Sequence, residues 1–106
     1  MKKTGLLRVE VSGTLGRERV VMHPNDGFDL GLLQAEHSVR LCLNLSLEGY
    51  LKGAQDEGDP VSLSLRNDCP GETLIVGVGL FRLLGKPAKA VVLYDGDRLF
   101  VQGRLV

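Results

Sequence analysis

Between Val39 and Glu48 the chain alternates almost without a break. Val39, Leu41, Leu43, Leu45 and Leu47 are aliphatic, and Arg40, Cys42, Asn44, Ser46 and Glu48 stand between them. Successive Cβ atoms of a strand point to opposite sides, so a period of two puts all the aliphatic side chains on one face of an extended segment. At about 3.3 Å per residue the stretch makes a ribbon about 33 Å long, well beyond the usual strand. Such a ribbon needs one dry side and one wet side. The chain is thereby constrained to amphipathic β-sheet.

The segments around it support the same class. Leu7, Val9 and Val11 alternate with Arg8, Glu10 and Ser12; Gly13 and Gly16 bracket a turn, and Arg19 to Met22 returns as a second strand. The cluster His23-Pro24-Asn25-Asp26-Gly27 is a loop by composition, since Pro fixes φ and Asn, Asp and Gly tolerate turn geometry. Asp29 is placed to cap one short helix near residues 29–36, with Leu32, Leu33 and Ala35 on its apolar side and Gly31 weakening it. Past the long strand, Tyr50 and Leu51 continue it beyond a bulge, and Gly53 to Pro60 is an acidic, glycine-rich connection. Val61, Leu63 and Leu65 alternate again, and Asn67 to Gly71 turns the chain. The continuous apolar runs Thr73 to Val78 and Ala90 to Leu93 suit strands covered on both faces. Asp95-Gly96 between two apolar runs predicts a hairpin with a type I′ turn, setting Tyr94 opposite Asp97 and Val92 opposite Leu99. Arg104-Leu105-Val106 is strand-like at the end of the sequence. Together these features predict a mainly β fold, an antiparallel sandwich or small barrel of about seven strands with at most one short helix. It is read as a single β-rich domain, 1–106, because 106 residues suit one core rather than two.

Charge narrows the function. Thirteen basic and thirteen acidic side chains cancel, and the basic ones are scattered from Lys2 and Lys3 to Arg104. A nucleic-acid partner calls for a basic stripe or basic residues interleaved with aromatics, and aromatics are only 5% of this chain, so no nucleic-acid partner is expected. No apolar run approaches the roughly 20 residues of a membrane helix, and no membrane partner is expected. Arg8 and Glu10 interrupt the only N-terminal apolar stretch that could serve as a leader. The expected setting is cytoplasmic, with Cys42 and Cys69 as reduced thiols rather than a disulfide.

The residues that do chemistry are few. His23, His37, Cys42 and Cys69 are the right types for a metal, yet no pair has finger or ribbon spacing, so no metal site is assigned. A Cys–His nucleophilic pair needs contact in space and a lowered thiol pKa, and no catalytic residue is assigned from the sequence. Gly77-Val78-Gly79 lacks the third glycine of a dinucleotide fingerprint, and no cofactor is expected. The acidic residues near Asp56 and Asp95 do not fit a calcium-loop register. The leading expectation is therefore a non-enzymatic β-rich association module, partnered by itself or by another protein, whose long strands need their edges managed. The alternative is a small-ligand-binding barrel in which Gly77 and Gly79 line open space and Tyr94 or Cys42 supply polar contacts. A small Cys/His-dependent enzyme comes third.

Overall fold

A computed structural model describes residues 2–16, 18–42 and 59–104. Its strands are β1 (Lys2–Lys3), β2 (Leu7–Ser12), β3 (Arg19–Met22), β4 (Glu36–Cys42), β5 (Asp59–Leu65), β6 (Thr73–Gly77), β7 (Lys89–Asp95) and β8 (Arg98–Arg104). Among the described residues two short helices interrupt them, α1 (Pro24–Asp29) and α2 (Val78–Leu83). The order β7-β2-β6-β3-β5-β4-β8 closes through the β7–β8 pairing into a seven-stranded barrel, with β1 pairing β7 beside β2.

Of the two expected architectures, sandwich or small barrel of about seven strands, the structure is the barrel, but the expectation of antiparallel pairing is met only in part. Three pairings are parallel (β2–β6, β3–β5 and β4–β8), while β2–β7, β3–β6, β4–β5 and β7–β8 are antiparallel. The period of two is the same in both ladders, so alternation alone cannot separate them. Closure also removes the edges of these seven strands. An unpaired strand edge is thus no longer the reason for self-association that the sequence suggests.

Val39 and Leu41 of the long alternating stretch point into the core, as the pattern requires. The rest of that stretch, with residues 50–51 and most of the acidic connection, lies outside the described residues, as do residues 105–106. Inward side chains from all seven barrel strands meet in one cluster, including Leu7, Val20, Leu41, Leu63, Val76, Val92 and Leu99. Cys42, Leu93 and Phe100 form a second, smaller buried cluster on the other face of β4, β7 and β8. The polar-register Cys42 is therefore buried as firmly as its aliphatic neighbours.

Helix placement corrects two expectations. The helix predicted near residues 29–36 is instead Pro24–Asp29. His23 caps it, its Nδ1 accepting the Asn25 N–H at 3.1 Å, and Pro24 occupies the first turn, where a missing N–H costs nothing. Asp29 is the last helical residue, and Gly31 at φ 78° ends the helix. A second helix, α2, begins at Val78, which the sequence places at the end of an apolar strand, and runs on to Leu83, where no helix is expected. A short apolar run fits a strand and a buried helical turn equally well.

The predicted hairpin forms with a shifted register. Tyr94 faces Leu99, Asp95 faces Arg98 and Val92 faces Val101, so the two turn residues are Gly96 and Asp97. Gly96 takes φ 65°, and no non-glycine residue of the turn has positive φ. A type I′ turn on Asp95-Gly96 would force Asp95 into that strained region, and the observed register avoids it. The shift moves each partner by two residues, so every side chain keeps its face.

Candidate functional site

Strand directions sort the loops to two ends of the barrel. The junction from β3 into α1, the turn between β5 and β6, and the 95–98 turn share one end. The β2–β3 turn and α2 share the other. At the α1 end, α1 packs Gly27 against Leu65, and Leu30 and Leu32 just beyond it join the core cluster. Their neighbours face outward: Phe28 is 67% exposed and Leu33 77%. These two side chains border a groove of about 430 Å³ that Pro24, Leu32, Ala35 and Leu65 also line, with Asn25, Gln34 and Asn67 as its polar members. Among the described residues, none that lines it is charged.

The same helix also carries a buried carboxyl. Asp26 of α1 is 7% exposed, and its Oδ2 accepts the Glu72 N–H at 2.9 Å, tying the helix to the β5–β6 turn. Glu72 sits there at φ 57°, in the left-handed region. Burial raises the Asp26 carboxyl above its ordinary value; the Glu72 N–H and His23 oppose that rise, and Asp29 and Glu72 add to it. Cys69 is buried beside it, with Sγ 3.5 Å from the Pro70 carbonyl and 3.8 Å from that of Thr73. Desolvation pushes this thiol up to about 11, and the charges of Asp26, Glu10 and Asp68 push the same way. A thiol held protonated and covered is a poor nucleophile.

Each residue singled out in the sequence has a definite place. Gly77 ends β6 opposite Ser12, and a Cβ there would run into the Leu15 carbonyl, so its missing side chain accommodates the β2–β3 turn. Gly79 is half-buried in α2. Tyr94 is at the opposite end, half-buried against the core and bordering a separate cleft with Lys2, Leu30 and Gly96. Cys42 is in the outer cluster with Leu93 and Phe100. The four do not converge on one cavity. The histidines are also separated by role: His23 caps α1, and His37 Nε2 accepts the Gln34 N–H at 3.1 Å. Among the described residues, no three His, Cys, Asp or Glu side chains are grouped to hold a metal ion.

Comparison of the chain with protein-family models, curated proteins and solved structures finds no match. The α1-end surface is what sequence reasoning missed. Phe28 and Leu33 look like core residues by type, and only the position of α1 reveals that the core takes Leu30 and Leu32 instead. Among the described residues, no helix is long and apolar enough to cross a membrane.

Proposed function

We propose that this chain is a non-enzymatic association module that assembles with further copies of itself through the α1 end of its barrel. The observation that carries the reading is the exposure of Phe28 (67%) and Leu33 (77%) side by side at one groove. Single exposed apolar residues are commonplace, but two large ones flanking an uncharged concavity mark a surface suited to a partner. Equal numbers of acidic and basic side chains, thirteen each, leave little net repulsion between copies. The covered, high-pKa Cys69 and the two histidines engaged with backbone N–H groups favour binding over nucleophilic catalysis. Two buried thiols, Cys42 and Cys69, fit a cytoplasmic setting, where cysteines stay reduced.

Size-exclusion chromatography with light scattering tests the proposal. The expected result is a mass that rises with concentration to a defined multiple of 11.5 kDa. A monomer from micromolar to millimolar concentration overturns it.

A further inference from the structure

The uncharged groove at the α1 end also specifies how two copies meet. We infer that it is an isologous two-fold interface, in which the Phe28–Leu33 surface of one copy covers the same surface of another. The inference rests on the association reading above and deepens it by naming the contact.

Charge decides the occupant. In a two-fold contact each patch meets its own image, so charge of a single sign near the axis would face itself. A quarter of this chain is charged (25%), yet among the described residues none that lines the groove is. Asn25, Gln34 and Asn67 are its polar members. An amide both donates and accepts, so it can pair with another copy of itself, which a carboxylate or an ammonium cannot. The charges flanking Asn67 are settled within the chain: Arg66 Nε and Nη2 reach Asp68 Oδ1 and Oδ2, each at 3.1 Å. A strongly acidic or basic partner would find no counter-charge in the lining. A second copy finds an apolar centre and a polar set complementary to itself.

The surface is also independent of the fold's own needs. Leu30 and Leu32 bury themselves in the core, whereas Phe28 and Leu33 are left outside it. Charges placed on the latter two therefore probe the contact rather than the barrel.

Two double variants test the inference by light scattering, Phe28→Glu with Leu33→Glu and Phe28→Lys with Leu33→Lys. The wild type is expected to reach twice the monomer mass, and each double variant alone to stay at the monomer mass. Mixing the two in equal amounts is expected to restore the doubled mass, because a like-on-like contact then places Glu against Lys. Leu83→Glu, a charge at the α2 end, should leave the dimer intact. Should a double variant lose its circular-dichroism signature of folding, the single change Leu33→Ser replaces it, and a weakened dimer is expected.

Double variants that dimerise as well as wild type would overturn this interface and, with it, the placing of self-association at the α1 end. A mixture that stays monomeric would overturn the two-fold arrangement in favour of a head-to-tail contact. A wild type that is monomeric throughout would remove both.

Discussion

Asp26 is 7% exposed, and its carboxylate meets the Glu72 N–H at 2.9 Å. One backbone hydrogen bond lowers its pKa, but burial raises it more, so the folded protein holds this proton more tightly than the unfolded chain does. The linkage sign follows. A carboxyl whose folded pKa lies above its unfolded value favours the fold most fully below the ordinary 3.8, and that contribution is lost as pH rises through the raised value. Asp26→Asn keeps an oxygen for Glu72 and cannot ionise. Urea midpoints of the variant and wild type, measured between acid and neutral pH, are expected to diverge in the variant's favour as pH rises; parallel profiles would count against the assignment. Cys69 and Cys42 belong at the same scale. Both are buried, and Cys69 is held at about 11, so an aromatic disulfide reagent at neutral pH should label them slowly in the native protein and at once in denaturant. A thiol labelled rapidly in the native state would reopen nucleophilic chemistry.

At the scale of elements, short helices and tight turns place the residues that matter. Its cap and its stop start α1 at Pro24 rather than near residue 29, where apolar spacing suggests: the His23 imidazole meets the Asn25 N–H, and Gly31 supplies positive φ. That shift turns Leu30 and Leu32 inward and leaves Phe28 and Leu33 facing out. His23 and Gly31 were both readable as a polar residue and a helix-weakening glycine. Their roles as cap and stop were not, because histidine is not among the usual N-cap residues and glycine also occurs inside helices. The end of β6 shows a comparable limit. Gly77 reads in the sequence as lining open space, and the structure fills that space with the Leu15 carbonyl. Gly77→Ala is expected to cost about 1–3 kcal/mol, the usual penalty for overfilling a packed site, read as a lower urea midpoint with an unchanged slope. A midpoint equal to wild type would show that the β2–β3 turn yields to a methyl group.

At the scale of the whole molecule, a closed barrel with a continuous aliphatic core leaves its ends as the places where residues vary without disturbing strand pairing. Closure also moves the proposed association from open strand edges to the apolar surface beside α1. The sequence by itself determined the strand content, the dry and wet faces of Val39, Leu41, Val61, Leu63 and Leu65, and the turns at 67–71 and 95–97. Those are local properties, set by the alternation of side chains and by which residues tolerate turn dihedrals. Strand order, the three parallel pairings, barrel closure and the exposure of Phe28 and Leu33 were decided only by tertiary structure. Each depends on which distant segments meet, and a period of two is identical for every partner a strand could choose.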